Sequence, residues 1–504
     1  MEESIEHFFD GRSLFITGGT GFMGKVLIEK LLRSCSGIDK IYVLIRPSRE
    51  GKSPADKLKD LFALPLYDRL KREKSEEIFK KVHPIVGDIR QLGLGISPDD
   101  RKLIVENVSV IFHAAASVRF DDPIHEAIII NTRGTREVVA LAKEIKNIAV
   151  LVHVSTSYCN CYRKVVQEVI YPPPMDWREA IAMAENCDPV VTNLLSKKYL
   201  GQFPNSYVFT KNLSEHVLQD ECKNMPVVIF RPSIVISSVK EPVPGWIDNF
   251  NGPVGFMIGI GKGVVRVTFT NKETRPDYMP VDISIKGMIT AAWKKATEKG
   301  PEKHEISVYN SSSGYKSITM RELVEIGMQF TTKYPPVDSL WIPAIMFTSN
   351  SMCYYFNVMI KQVLPAVVVD WMLALLKKKP LHLLKIQRKI YRASTELSYF
   401  TSKQWMFINT NFLTLLHCIP EQDKEKFDFA FDNLQPEEYL TNAVIGGHKY
   451  LLNSDITALP SAVNRLKRMR YLRDAVRLSF WVLVIWYVYK HYFMQIDEVT
   501  QPAI

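Results

Sequence analysis

The feature that most constrains the fold is a glycine-rich turn near the N-terminus, between an apolar strand and an amphipathic helix. An apolar run over residues 12–16 leads into TGGTGFMG, residues 17–24, and a helical pattern follows. Gly18, Gly21 and Gly24 permit a tight turn, close approach of the backbone to a pyrophosphate and close packing of helix on strand. The spacing predicts a nucleotide-binding turn. A simple tight turn is the alternative.

Apolar strands alternate with helical segments through the first half of the chain. After the first strand, further strands are predicted at residues 41–45, 82–86, 108–112, 150–154 and 227–230. Strands that are apolar throughout are typical of a parallel sheet covered by helices on both faces. We therefore predict an α/β fold with a doubly wound parallel (Rossmann-type) sheet. A change of composition near residues 334–338 predicts the start of a second, mainly helical region.

Composition and charge exclude several classes of protein. The 504 residues carry 64 Lys and Arg against 54 Asp and Glu, a net charge of +10 that by itself identifies no partner. A mean hydropathy of −0.05 excludes a polytopic membrane protein. The seven cysteines have no zinc-type spacing, so we predict no metal site and no disulfide framework. The acidic N-terminal segment lacks a signal-peptide pattern, and we expect a reducing, cytosolic environment.

The residues that follow the second, third and fourth strands indicate which dinucleotide binds. Arg46, with Arg49 close behind, stands where an acidic residue would accept hydrogen bonds from an adenosine ribose. A guanidinium suits a 2′-phosphate, so NADPH is predicted over NADH; an exposed loop arginine is the alternative. Asp88 suits an adenine contact, and Ala114 lies where a flat dinucleotide must pass. His113 is interpreted as a core residue.

A tyrosine and a lysine are spaced for proton transfer. Tyr207 and Lys211 stand at i and i+4 in PNSYVFTK, which puts both on one face of a helix. An ammonium beside a phenol is expected to lower the pKa of the tyrosine from about 10 toward neutrality. Tyr207 could then donate or accept a proton at physiological pH.

These motifs together resemble the extended short-chain dehydrogenase/reductase superfamily, and within it the animal fatty acyl-CoA reductases. The similarity over residues 8–310 rests on the glycine turn, IYVLIRP, FHAAASVRF, HVSTSY, YPPP, PNSYVFTK, RPSIV, EPVPGWIDNFNGP and PVD. The later LPA and F-x-F-D segments are similar to the family's C-terminal sterile domain. Gly19, where alanine is common, and residues 310–312, which lack a frequent proline, depart from the pattern without removing a functional group.

The resemblance implies a domain organisation and a set of site residues. It implies an NADP-binding reductase domain over residues 8–335 and a helical sterile-type domain over residues 336–455. Tyr207 and Lys211 would be the catalytic pair, with Thr156 as the partner hydroxyl and Ser155 as the alternative. The residues expected to contact the cofactor are Thr17, Gly18, Thr20, Gly21, Phe22, Gly24, Arg46, Asp88, Ala114 and Lys211.

The reaction implied is reduction of a long-chain acyl-CoA by two NADPH, through an enzyme-held aldehyde, to a primary alcohol. The developing oxyanion would be held by the hydroxyls of Tyr207 and Thr156. The thiolate of coenzyme A, with a pKa of about 8.5, leaves without an enzyme nucleophile. A thioester on Cys159 or Cys161 is the less favoured route. The other readings are a steroid- or sugar-type dehydrogenase and a non-catalytic membrane protein that binds NADPH and lipid.

The C-terminal tail is nearly all apolar. Residues 478–489 read LSFWVLVIWYVY, and residues 478–494 would span about 25 Å at 1.5 Å per residue. Six arginines and lysines between Arg465 and Arg477 precede this segment, so we predict a transmembrane tail anchor with the catalytic domain in the cytosol, at the endoplasmic reticulum or peroxisome. A buried helix is the alternative. The apolar tract over residues 340–376 is predicted to form a tunnel wall or an interfacial helix.

The expected partners follow from this interpretation. They are long-chain acyl-CoA and membrane lipid, and no nucleic acid is expected. The sequence leaves open whether the chain forms a homodimer.

Overall fold

The computed structural model describes residues 4–47, 51–314, 317–336, 338–454 and 459–493. A parallel sheet of seven strands forms its centre, in the spatial order β7-β6-β5-β4-β1-β2-β3. In chain order the strands are β1 (Ser13–Thr17), β2 (Ile41–Ile45), β3 (Val82–Val86), β4 (Val108–His113), β5 (Val150–Val154), β6 (Val227–Pro232) and β7 (Ser307–Ser311). The order reverses at β1, as in doubly wound folds, and the predicted fold class is confirmed.

Strands β1, β2, β4 and β5 are mostly apolar and fully buried because both faces of the sheet are covered. Leu14 and Ile16 point into one apolar core, whereas Phe15 points into the other. Helices Phe22–Ser34 and Val281–Thr297 cover the first face, and helices Gly134–Glu144 and Ser206–Glu221 cover the second. Alternate residues of one strand therefore face opposite helical layers.

The remaining elements surround this sheet. The other α-helices are Ile5–Phe9, Pro54–Phe62, Asp68–Glu73, Pro98–Asn107, Ile124–Ala127, Trp177–Asn186, Pro189–Leu194, Ser196–Leu200, Pro253–Gly261, Met320–Lys333, Ser351–Val358, Leu364–Leu375, Leu383–Thr401, Thr410–Cys418, Lys424–Phe427, Pro436–Gly446 and Leu459–Val488. Short parallel strands pair as Val165–Val166 with Met406–Phe407, Ile234–Ile236 with Tyr278–Pro280, and Val267–Phe269 with Met346–Thr348.

The C-terminal region folds onto the sheet. Phe412, Phe427 and Phe429 are fully buried in the core that also contains β1. Glu168 holds this region from the side of β7, because its carboxylate accepts the backbone N–H groups of Asn310 (2.9 Å), Asn411 (2.6 Å) and Phe412 (3.1 Å). Two of these donors lie in the first turn of helix Thr410–Cys418, where N–H groups lack helical partners.

The apolar C-terminal segments differ from each other in pattern. Residues 478–493 continue the basic helix that begins at Leu459, and their described side chains are mostly exposed; Met494 of the predicted anchor lies outside the described residues. A single described helix is long and apolar enough to cross a membrane by length and composition, and it is Ser351–Leu375. It lies within the tract for which a tunnel wall or an interfacial helix was predicted.

Glu168→Gln tests the attachment of the C-terminal region. The glutamine has only one acceptor oxygen, so one of the three backbone N–H groups loses its partner. We expect the free energy of unfolding to fall by about 1–3 kcal/mol in urea titrations of the detergent-solubilised chain. Glu106→Gln, at an exposed position, is the matched control, and equal stability of the two variants would contradict the attachment.

Candidate active site

The glycine turn lies at the carboxyl end of β1 and fits a pyrophosphate. Gly18 has a φ of 76°, and a Cβ there would lie 2.6 Å from the Ala115 nitrogen. A Cβ on Gly24 would lie 2.2 Å from the Gly18 oxygen, so this position holds the helix close to the turn. Gly21, the N-cap of helix Phe22–Ser34, is exposed, and a Cβ there would meet only the Gly18 oxygen, at 3.2 Å. The open helix N-terminus can therefore receive an anion.

The Thr17 side chain, predicted to contact the cofactor, is instead buried beneath the turn. Its hydroxyl is 2.8 Å from His113 Nδ1 and accepts the Ala115 N–H at 3.2 Å. The other ring nitrogen of His113 contacts the Thr135 hydroxyl at 3.1 Å. Burial lowers the pKa of His113 to about 3, so the ring is neutral and structural. Thr17 and His113 together hold Ala114 and Ala115 against Gly18.

The other predicted cofactor residues lie along the same edge of the sheet. Thr20 and Arg46 are exposed after β1 and β2. Asp88 follows β3 and accepts the Arg90 N–H at 3.0 Å, while the Ala114 N–H after β4 donates to the Thr17 carbonyl at 3.1 Å. The residues are brought to one edge because the strands are adjacent and parallel. Arg49 lies outside the described residues.

Phe22 contacts a later segment of the chain. Its ring stacks on Trp246 with centroids 5.4 Å apart, and Lys25, in the same helix, forms an ion pair of 2.8 Å with Asp248. The EPVPGWIDNFNGP segment therefore packs against the helix that follows the glycine turn.

The helix Ser206–Glu221 carries Tyr207 and Lys211 to the carboxyl end of β5. Asn205 caps this helix by accepting the Val208 N–H at 3.0 Å, which fixes Tyr207 in the first turn. Lys211 is buried, and its ammonium donates to the Val154 carbonyl at 2.6 Å. The predicted pair therefore lies beside the last residue of β5, where the two candidate hydroxyls follow.

The two hydroxyls after β5 have different surroundings. Ser155 donates to Glu215 at 2.6 Å in the buried interior. The Thr156 hydroxyl accepts the Tyr158 N–H at 3.2 Å and lies close enough to Tyr207 to act on the pKa of its phenol. This geometry favours Thr156 as the partner of Tyr207 and gives Ser155 a structural role.

The pKa of Tyr207 differs from the expectation. Burial raises the pKa of the phenol, and the Thr156 hydroxyl lowers it by less. The predicted lowering of this pKa by Lys211 is wrong for this structure, because burial of the phenol has the largest effect and Lys211 is not among the groups that act on it. Burial lowers the pKa of Lys211 to about 8, while Glu215 acts in the opposite direction. Tyr207 is thus held protonated, as a donor.

A buried ion pair beneath these residues was missed by the sequence reasoning. Arg231 donates to Glu215 through Nε (2.8 Å) and Nη2 (2.6 Å), and both side chains are inaccessible to solvent. Arg231 also donates to the carbonyls of Gln167 (3.1 Å) and Val169 (2.8 Å). Glu215 lies one helical turn after Lys211, and that i, i+4 spacing is the signal that could have indicated it.

Aromatic side chains border the Tyr207 side of the site. Phe120 stacks on Tyr207 with centroids 5.8 Å apart, and Phe400 contacts Phe120 at 5.1 Å and Tyr158 at 5.5 Å. The C-terminal region thus contributes to the apolar surroundings of the phenol. Cys159 lies nearby, but burial raises the pKa of its thiol, which disfavours a thiolate nucleophile.

Two family models, both described as "Male sterility protein", match the chain. An NAD-binding model matches residues 16–288, and a sterile-domain model matches residues 361–454. The two regions correspond to the sheet with its site and to the helical C-terminal region.

Known proteins are similar over nearly the whole chain. Fatty acyl-CoA reductase 1 of Mus musculus is 35% identical over 96% of this chain and 93% of its own length. Fatty acyl-CoA reductase wat of Drosophila melanogaster is 36% identical over 97% of this chain and 93% of its own length. Among solved structures, the reductase domain of a nonribosomal peptide synthetase from Mycobacterium tuberculosis has a TM-score of 0.59 at 17% identity, covering 88% of this chain and 92% of that one. At 17% identity, this structural similarity shows that the two proteins share a fold.

Gly18→Ala tests the turn. The added Cβ meets the backbone of residues 114–115, and the positive φ is strained, so we expect NADPH affinity to fall by about tenfold or more in fluorescence titrations. Gly11→Ala is the control, because Gly11 has a φ of 66° but a Cβ there meets nothing within 4 Å. Similar NADPH affinities of the two variants would contradict a close approach at Gly18.

Proposed function

Because the chain belongs to the fatty acyl-CoA reductase family, we propose that it reduces a long-chain fatty acyl-CoA to a primary fatty alcohol with two NADPH, through an enzyme-held aldehyde. The chain is an oxidoreductase that uses a nicotinamide cofactor. The observation that carries the finer proposal is the meeting of Tyr207, Thr156 and Lys211 at the end of β5. They share the sheet edge with the glycine turn.

In the first reduction the two hydroxyls bind the thioester carbonyl oxygen. Bound NADPH supplies the hydride in each of the two reductions. The hydroxyls of Tyr207 and Thr156 donate hydrogen bonds to the oxygen as negative charge develops on it. The carbonyl re-forms when coenzyme A leaves as its thiolate, so the first product is an aldehyde that stays between the same hydroxyls.

In the second reduction Tyr207 acts as the acid. Its raised pKa keeps the phenol protonated at neutral pH, and it gives this proton to the alkoxide that forms from the aldehyde. Lys211 lies one turn further along the helix and holds the cofactor ribose in this proposal. The Glu215–Arg231 pair keeps the helix and the end of β5 in place.

The cofactor site is proposed to extend along the sheet edge. The backbone of residues 17–22 and Gly24 would hold the pyrophosphate, Arg46 the 2′-phosphate, and Asp88 and Ala114 the adenosine side. The exposure of Arg46 directly after β2 supports this assignment.

The organisation of the chain is proposed in the same terms. Residues 8–335 form the reductase domain and residues 336–455 the sterile-type domain, although Phe412 and Phe429 share a core with the sheet. Residues 478–494 form the tail anchor and hold the catalytic domain on the cytosolic side of the endoplasmic reticulum or peroxisome. A homodimer is compatible with this arrangement.

Tyr207→Phe tests the assigned chemistry. Loss of one donor to the oxyanion is expected to lower kcat roughly 100-fold or more with palmitoyl-CoA, while NADPH affinity is kept. The measurement pairs NADPH oxidation with alcohol quantified by mass spectrometry, and wild type is expected to consume two NADPH per alcohol.

The controls distinguish the catalytic hydroxyl from other effects. Tyr162→Phe is expected to keep full activity. When Thr156→Val and Ser155→Ala are compared at equal concentrations of folded protein, Thr156→Val is expected to lose more activity. Unchanged alcohol formation in Tyr207→Phe would overturn the assignment. A wild type that binds NADPH without oxidising it would favour a non-catalytic role.

Arg46→Ser tests the choice of cofactor. A guanidinium on a 2′-phosphate is a charge-assisted contact, so its loss is expected to lower kcat/KM for NADPH roughly tenfold and to leave that for NADH unchanged. Arg72→Ser, at an exposed position on another helix, should change neither value. An equal loss with both cofactors would contradict contact with the phosphate.

A further inference from the structure

The helix Ser351–Leu375 is continuous, because the π-helical residues Met359–Val363 join its two α-helical parts. Gln362 on its buried face is bound to the protein, whereas most of its large apolar residues are exposed, unlike those of a surface helix in a soluble protein. We call this helix and the following helix, Leu383–Thr401, the apolar hairpin (residues 351–401).

The inward face of the first helix is attached to the body of the protein. Tyr354, Val358, Gln362 and Ala366 are buried at intervals of four residues. The Gln362 carbonyl oxygen accepts the N–H groups of Arg266 (2.8 Å) and Val267 (2.9 Å), before and in a strand of the body. This helix therefore lies along the protein surface at its midpoint.

Asp370 and Gln387 hold the two helices of the hairpin together. The Asp370 carboxylate accepts the N–H groups of Leu383 and Leu384, each at 3.0 Å, at the start of the second helix. The Gln362 amide donates to Gln387 at 3.2 Å, and Gln387 donates to the Val264 carbonyl at 3.1 Å. Gln362 and Gln387 are thus bound to the body and to each other, and Asp370 is bound within the hairpin.

The outward face is a stripe of large apolar side chains at three- and four-residue intervals. Phe356 is 67% exposed, Trp371 61% and Leu375 62%. The exposed members of the stripe are Met352, Tyr355, Phe356, Met359, Ile360, Leu364, Val367, Val368, Trp371, Met372, Leu375 and Leu376. A stripe of this size on one helix is typical of a binding surface.

This helix does not cross a bilayer, because the chain on both sides of it is attached to the same body. Before it, strand Met346–Thr348 pairs with Val267–Phe269. After it, the second helix returns, and Phe400 in its last turn packs on Phe120 and Tyr158 beside the active site. Whatever covers the apolar stripe must therefore lie along the length of the helix, on its exposed face.

The charge around the turn of the hairpin identifies what covers the stripe. No Asp or Glu occurs between residues 371 and 395, whereas exposed basic residues are frequent there. They are Lys377, Lys378, Lys379, Lys385, Arg388, Lys389 and Arg392. An apolar helix face flanked by cations is the pattern of an element that lies in the interface of an anionic bilayer.

The tail helix, which begins at Leu459, comes near the same part of the body at Arg477. The backbone N–H of Arg266 donates to Gln362, and the guanidinium of Arg266 is near Arg477. Burial, together with the charge of Arg477, lowers the pKa of the Arg266 guanidinium. The apolar part of the tail starts at the next residue, Leu478. Two exposed apolar elements thus leave the body close to each other.

We propose that the apolar hairpin docks on one leaflet of an anionic lipid bilayer, with its stripe among the acyl chains and its lysines and arginines at the headgroups. It is a second membrane contact, separate from the tail anchor. Because Phe400 lies in the last turn of the hairpin, docking brings the aromatic surroundings of Tyr207 close to the bilayer.

The experiment uses the full chain with the tail disabled. Val482→Asp, Leu483→Asp and Ile485→Asp together prevent insertion of the tail without touching the body, since all three side chains are exposed. This variant is expected to float with vesicles of phosphatidylcholine and phosphatidylserine. When Trp371→Asp and Leu375→Asp are added, the ratio of vesicle-bound to free protein is expected to fall by about tenfold or more.

Two further variants on the tail-disabled chain separate the contributions. Val190→Asp with Leu194→Asp, at exposed apolar positions of another helix, is the matched control and should float normally. Lys377→Gln, Lys378→Gln and Lys379→Gln together should weaken binding roughly a hundredfold on phosphatidylserine vesicles, and little on pure phosphatidylcholine.

Three results would overturn docking on lipid. They are a tail-disabled chain that does not float, a Trp371 and Leu375 variant that floats like the control, and substitutions that split a dimer in sedimentation velocity while flotation persists. The last would assign the stripe to a second copy of the chain. Reduction of a short, water-soluble acyl-CoA is measured for every variant, so that failure of docking is distinguished from failure of the proposed activity.

Discussion

The buried pair of Glu215 and Arg231 is the interaction on which the site depends. Glu215 belongs to the helix that carries Tyr207 and Lys211, and Arg231 belongs to β6. The carboxylate also accepts the Ser155 hydroxyl, so the end of β5 is fixed to the same group. One ion pair thus sets the helix against two neighbouring strands. The position of the phenol relative to Thr156 follows from it.

Burying two charges is costly, and the structure compensates for it with hydrogen bonds. Arg231 makes two contacts to Glu215 and donates to the carbonyls of Gln167 and Val169. Those carbonyls flank Glu168, whose carboxylate holds the first turn of helix Thr410–Cys418. Such a pair gives little net stability but tolerates few alternative arrangements. It therefore joins catalytic helix, sheet and C-terminal region in one geometry.

The sequence allowed β2, β3 and β5 to be predicted to the residue: β2 and β5 are mostly apolar because they are buried on both faces, and the edge strand β3 has apolar residues at both ends. It did not indicate β7, in which Ser307, Asn310 and Ser311 interrupt the apolar pattern; Asn310 donates to the carbonyl of the later residue Ile408, and Ser311 donates to Ser284. Helical spacing was sufficient to pair Tyr207 with Lys211. It could not give the pKa of the phenol, since that depends on how deeply the phenol is buried and on the nearby Thr156 hydroxyl.

The C-terminal region contains two apolar elements. The arrangement of their apolar residues, more than the number of these residues, determines how each element can contact a membrane. The tail is nearly all apolar over residues 478–489, which suits insertion among lipid chains. The hairpin helix exposes large apolar side chains on one side; on the other side Gln362 binds it to the body, and Asp370 binds it to the second helix of the hairpin. Hydropathy alone selects helix Ser351–Leu375 as the membrane span, because a hydropathy average counts the residues of both helix faces together. The contacts reverse that choice: an element whose polar residues are already bonded to the protein can offer a bilayer only its outer face.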